Sequence, residues 1–138
     1  MHASLNTHQC MLFFLRLAVA LVWLYNGLFL KVLFVDPEQL SLMNEAAPFG
    51  WSAGRALGIL GLAETGLAIW IASGWRYLWA MGLQTIGVVL LNLGGILFGG
   101  YADPAGLLIG NLPIVMCGLI GMSFGSGRWR SVMNKEKS

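Results

Sequence analysis

Four long apolar stretches dominate the chain, at about 11–35, 53–73, 77–98 and 104–124. Each reaches the roughly 20 residues needed to cross a bilayer as a helix. They are too long and too continuously apolar for barrel strands, so the pattern predicts helices. The first stretch differs from a cleaved leader: its apolar run is long, it carries Arg16 and Lys31, and no small-x-small site follows. It reads as a retained span. Polar breaks at 74–76 and 99–103 are short, so the helices they join are expected to be antiparallel neighbours. The break at 36–52 is longer. There Asp36-Pro37-Glu38 reads as an N-cap, a first-position proline and a first-turn acid, which predicts a short helix. Leu40, Leu42 and Met43 would lay that helix on the outer membrane surface, and Pro48-Phe49-Gly50-Trp51 would end it. The expected fold is all-α: a single-domain, antiparallel, four-helix integral membrane bundle over 1–138, with a short outer interfacial helix after the first span. Residues 126–138 form a frayed cytoplasmic tail in this reading.

Composition strengthens the membrane reading. Of 138 residues, 57% are hydrophobic and only 10% charged, and mean hydropathy is +0.73. Eight Lys/Arg and six Asp/Glu cannot clothe a water-facing surface of this size. A net charge of +2 with no basic patch outside the tail gives no footprint for nucleic acid. Basic residues set the orientation. Arg128, Arg130, Lys135 and Lys137 lie in the carboxy tail and Arg76 in the second connection, while acids gather at Asp36, Glu38, Glu45 and Asp103. The positive-inside rule then places both termini in the cytoplasm and the protein in the cell's inner (plasma) membrane. Trp51 and Tyr101 would mark the outer interface, and Trp75, Tyr77, Trp79 and Trp129 the inner one.

Small residues suggest how the spans meet. Many of the 19 glycines lie inside them. Ala80, Gly87 and Gly94 repeat along span three; Gly54, Gly58, Gly61 and Ala68 share a face of span two; Gly106, Gly110, Gly118 and Gly121 run along span four. Such faces let helices approach closely where lipid supplies no hydrophobic drive, or leave room for a flat ligand. Pro113 is expected to kink span four or free a carbonyl.

Polar groups inside the spans carry the functional signal, because an ionisable side chain there is costly and normally faces the bundle. Glu64 stands about eleven residues into span two, or ~16 Å deep, too deep for its short side chain to reach water. It must be paired, protonated or hydrogen-bonded. Span one supplies Arg16, Trp23, Asn26 and Lys31 on one broad face, with Arg16 and Lys31 about 60° apart on a helical wheel. Either cation is a partner for Glu64, and either can instead snorkel to its interface. Span three adds Gln84 and Asn92, and span four Asn111. Asn26, Lys31, Asn92, Asn111 and Glu64 overlap in depth, which predicts one polar cluster. The candidate ligand-binding set is therefore Glu64, Lys31, Asn26, Asn111, Asn92, Trp23 and Arg16. As hydrogen bonds between helices these groups would contribute only about 0.6 kcal/mol each, a weak reason to bury them.

Several chemistries lack their residues. Cys10 and Cys117 form no Cys-x-x-Cys, His2 and His8 fall in the amino tail, and no spacing suits a metal or paired haem ligands. No nucleophile has a partner base, so no catalytic residue is assigned.

In order along the chain stand Arg16, Trp23, Asn26, Gly27 and Lys31; then Gly61-Leu62-Ala63-Glu64-Thr65-Gly66; then Asn111-Leu112-Pro113. Together they resemble the DoxX-like family of small four-span membrane proteins, over about 16–123. The resemblance implies a four-helix membrane bundle and a link to respiratory or detoxifying redox chemistry. In that light the lead reading is a quinone-linked membrane subunit, or a bundle that binds a lipophilic ligand, with an oxidoreductase partner or a second copy of itself. The residues themselves name no cofactor; quinone is one that the resemblance allows. Glu64 would handle the proton, while Lys31, Asn26 and Asn111 orient the head and Trp23 or Tyr25 receives the ring. Two other readings compete: a structural or assembly partner of a membrane complex, and a small proton-coupled exporter.

Overall fold

The computed structural model describes residues 2–46, 50–98 and 103–125. The expected tail at 126–138, the Pro48-Phe49 turn, Tyr101 and Trp129 lie outside them. The described chain is all-α, in a four-helix membrane bundle: α1 (His2–Leu24), a π-helical continuation (Tyr25–Leu33), α2 (Pro37–Ala46), α3 (Ala53–Ser73), α4 (Tyr77–Phe98) and α5 (Pro104–Gly125). Four segments are long and apolar enough to cross a membrane: Gln9–Leu33, Ala53–Ser73, Tyr77–Phe98 and Pro104–Phe124. The first differs from the expected 11–35 in two ways. Its helix reaches back to His2, into what the sequence read as a tail, and its last nine residues wind as a π-helix.

Local chemistry sets the helix ends. The Glu38 N–H donates to Asp36 Oδ1 at 3.3 Å, so Asp36 caps α2 beside Pro37. Asp103 does the same for α5, accepting from the Gly106 N–H at 2.9 Å. α3 stops at Gly74, whose φ of 72° is left-handed and whose N–H returns to the Ile71 carbonyl. The indole N–H of Trp70 donates to the Trp75 carbonyl at 2.7 Å and straps this turn. α5 runs through Pro113, which has no N–H to give the carbonyl of Ile109.

The short 74–76 turn suggests that α3 and α4 are close neighbours, but the tight pairs are others. α1 and its π continuation pack most extensively on α3, and α4 on α5. α3 and α4 share their core near the turn, where Ala68 and Ile71 meet Ala80 and Met81, with Val19, Ala20 and Trp23 of α1 joining them. Gly118 and Gly121 let α5 lie against α4. The side chains of Gln84 and Thr85 occupy the space beside Gly118, and Met81 and the Tyr77 hydroxyl that beside Gly121. Gly54, Gly58, Gly94 and Gly110 instead have open space at their flanks, so only part of each small-residue face closes a helix contact. Tyr77, at the start of α4, is half-buried beside the core, whereas Trp75 and Trp79 are exposed.

The core ends toward the other side in a polar layer. Trp23 donates its indole N–H to Gln84 Oε1 at 3.1 Å, and Gln84 Nε2 donates to the Ile114 carbonyl at 3.2 Å and to Thr85 Oγ1 at 3.1 Å. Gln84 is fully buried, and both ends of its amide are satisfied. Beyond this layer the two helix pairs part around a hollow.

Candidate functional site

The crossing of the first two spans sets the site. Gly27 and Gly61 face each other so closely that a Cβ on Gly27 would stand 2.7 Å from the Gly61 carbonyl oxygen and 2.8 Å from the Thr65 nitrogen. A Cβ on Gly61 would stand 2.7 Å from both the Gly27 carbonyl oxygen and Lys31 Cβ. Backbone cannot yield as a side-chain tip does, so only glycine allows this approach. The crossing puts Glu64 beside Gly27 and Lys31 beside Gly61. Lys31 then extends about one helical turn toward mid-bundle, and Nζ meets Glu64 Oε2 at 2.6 Å. Lys31 is thus the partner, and it does not snorkel. The two side chains are 10% and 5% exposed. A lone charge at this depth would be severely destabilising, and each group cancels that cost for the other.

The π-helix presents a second polar group beside Lys31. The Phe34 N–H donates to the Phe29 carbonyl at 2.9 Å, the five-residue step of a π turn. In an α-helix Asn26 and Lys31 would lie about 140° apart. The wider turn brings residues five apart nearly over one another, and both line the hollow. Asn26 also donates to the Val22 carbonyl of the preceding turn at 2.9 Å. The same winding stacks Phe29 on Phe34 on the exposed side, with ring centres 6.1 Å apart.

The hollow has a volume of about 570 Å³, within the ordinary range for a small-molecule pocket. One wall holds Lys31, Glu64 and Asn26; Asn92 of α4 and Asn111 of α5 hold the other. Asn111 Nδ2 donates to Asn92 Oδ1 at 2.8 Å and to the Leu107 carbonyl at 3.1 Å. Trp23, Val88 and Ile114 form the floor, above the Gln84 layer. Leu42 and Met43 of α2, with Gln39, close the loop side. α2 therefore leans across α3 and α4 and covers the hollow.

Six of the seven sequence candidates line this one space: Glu64, Lys31, Asn26, Asn111, Asn92 and Trp23. Arg16 does not. It sits at the opposite, turn end, its guanidinium laid on Gly74 and 5.4 Å from the centre of the Phe13 ring. There it meets the carbonyl end of α3, where a cation is favoured. It lines a separate recess with Gln9, Leu12, Phe13 and Tyr77. Sequence reasoning missed Gln39 and Met43 as lining residues. The amphipathic pattern of α2 held the signal for Met43 but not its target, and Gln39 carried none.

Among the described residues no cluster of His, Cys, Asp and Glu could hold a metal. What the site can do is present charge and amides in an apolar slot.

A model of the DoxX-like family matches residues 20–119, which include every residue of the Gly27–Gly61 crossing, the ion pair and the asparagine pair. No curated protein and no solved structure matches the chain.

Proposed function

This chain belongs to the DoxX-like family, and from that premise we propose that it is a quinone-linked membrane subunit whose hollow binds a lipophilic, flat-headed ligand. The hollow itself carries the reading. Five polar side chains, Asn26 and Lys31 from the π-helix and one each from α3, α4 and α5, reach one apolar space of about 570 Å³ at the depth of a buried ion pair. Glu64 and Lys31 hold the polar end of the ligand, and Glu64 has a carboxylate to offer a proton that moves with electrons. Trp23 and the surrounding aliphatic side chains receive the ring. None of these side chains carries electrons, so a quinone bound here would exchange them with an oxidoreductase partner. The weight of Arg and Lys toward the turn end and the tail supports an inner-membrane protein with both termini cytoplasmic.

Native mass spectrometry of gently solubilised protein, with lipid extraction of the same sample, tests this. The wild type is expected to carry a lipophile. Lys31→Ala should lose it, and so should Gly94→Phe, which fills the hollow from a position with open space at its flank. Empty wild-type protein would count against the reading. It would favour a structural or assembly role, for which the mutual pairing of Lys31 with Glu64 and of Asn92 with Asn111 is the supporting observation.

A further inference from the structure

Charge is divided between the two ends of the bundle. Among the described residues Asp36, Glu38, Glu45 and Asp103 stand toward the loop end, and Glu64 is taken by Lys31. The turn end holds Arg16 and Arg76 and, among the described residues, no acid. Arg76 is exposed on the turn, its guanidinium 5.3 Å from the centre of the Trp75 ring. Arg16 is half-buried in the wall of a recess of about 400 Å³ between α1 and the start of α4, with Gln9, Leu12, Phe13 and Tyr77 around it. A half-buried arginine normally donates its N–H groups to an acid or to carbonyls. Among the described residues Arg16 forms no ion pair and no hydrogen bond. Gly74 lies against its guanidinium, and the end of α3 brings it only about half a negative charge. Its nitrogens are not sealed away either, since the one buried side-chain polar atom without a partner is the Tyr77 hydroxyl. A permanent cation with unused N–H donors therefore faces whatever fills the recess.

The level of the recess narrows what that is. Trp75 and Trp79 flank the same turn and are 65% and 71% exposed, and indoles at the ends of spans settle among lipid headgroups. The outward side of α1 stays apolar beside Arg16, with Phe13, Phe14 and Leu17 exposed. Phosphate groups lie at this level, and acyl chains lie alongside it. A phosphate matches a guanidinium fork with two parallel hydrogen bonds. Choline and ethanolamine lipids carry a cation with their phosphate, and no acid among the described residues at this end receives it. We propose that the recess binds the phosphate of an anionic membrane lipid, gripped by Arg16 with the Gln9 amide beside it, the acyl chain lying against Leu12 and Phe13. The site is at the opposite end from the hollow and does not depend on what the hollow binds.

Native mass spectrometry of purified protein in neutral detergent, titrated with dioleoyl phosphatidylglycerol or dioleoyl phosphatidylcholine, tests this. One phosphatidylglycerol is expected to bind at least about fivefold more tightly than phosphatidylcholine, the order that one arginine supplies toward an anionic lipid. Arg16→Gln should abolish that preference. Arg76→Gln removes the same charge from the same end but outside the recess, and should keep it. Equal binding of the two lipids to the wild type overturns the proposal. So does an equal loss in the two variants, which would mean that the field of the whole end attracts the lipid. Leu12→Trp fills the recess and leaves both arginines in place, so it should lose the preference even where Arg16→Gln fails to fold; an unchanged preference in this variant overturns the proposal too. Inorganic phosphate separates the two sources of the anion. At equal concentration it should leave the bound lipid in place, and displacement would make this a site for free phosphate and sink the lipid assignment. A lipid that co-purifies, is lost from Arg16→Gln and is kept by Lys31→Ala occupies this recess and not the hollow.

Discussion

The two halves of this bundle are built differently. Toward the turn end, Ile71, Ala80 and Met81 are fully buried and small residues bring α4 and α5 together. Toward the loop end the α1–α3 pair and the α4–α5 pair part, and the space between the pairs has the ion pair on one wall, the asparagine pair on the other and the side of α2 across it. Helices in lipid gain nothing from excluding water from one another, so close packing holds each pair: the buried core with Gly118 and Gly121 at the turn end, and the Gly27–Gly61 crossing at the loop end. The space between the pairs is what stays open. The layer of Trp23, Gln84 and the Ile114 carbonyl separates the two: below it, among the described residues, the Tyr77 hydroxyl is the one buried side-chain polar atom without a partner, and above it the paired groups line an open space.

The sharpest way to break this contrast is at the ion pair. Lys31→Met alone should cost about 3–5 kcal/mol, because it strands a carboxylate in apolar surroundings. Lys31→Met combined with Glu64→Leu should recover most of that loss. Unfolding titrations in denaturing detergent give both numbers. A double variant no better than the single one would mean that the pair is itself a main source of stability. Next comes core against hollow. Ile71→Ala should cost about 2–5 kcal/mol, whereas Leu60→Ala, on the wall of the hollow, should cost less than half as much in the same titration. Equal losses would show the loop half to be as tightly filled as the other. Glycines give a third contrast. Gly27→Ala drives a methyl into the Gly61 backbone and should cost about 1–3 kcal/mol. Gly94→Ala meets no atom within 4 Å and should change stability by less than about 0.5 kcal/mol. The smallest effect is expected at the asparagines. Asn111→Ala should cost about 0.6 kcal/mol, as an ordinary hydrogen bond between membrane helices does. A loss several times larger would make the pair structural glue and weaken its assignment to a ligand.

Much of this was legible in the residues. The four spans follow from length and hydropathy alone, since no soluble fold tolerates so few charges. Asp36-Pro37-Glu38 announced α2 because its capping chemistry is local. Glu64 stood out because depth alone denies it water. Asn92 and Asn111 were placed together by depth, and the structure joins them at 2.8 Å. The π-helix was not legible. Its sequence, Tyr25 to Leu33, is ordinary helix-forming material, and the wider turn places Asn26 with Lys31 only because the chain winds that way there. Arg16 was grouped with the site because a helical wheel records angle and not height along the bundle. Tyr77 was read from its residue type alone, and only the packed helices show its hydroxyl beside Gly121.

The sequence by itself therefore determined the membrane class, the number of spans, the capping of α2 and the identity of the polar residues that lipid would not accept. Each of these depends on a residue and its near neighbours in the chain. Only the tertiary structure decided which helices pair tightly, that Glu64 meets Lys31 and not Arg16, and that α2 covers a hollow. Those outcomes depend on helix rotation and on how closely two backbones approach. Gly27 and Gly61 set that approach, and nothing in either glycine names the other as its partner until the helices have packed.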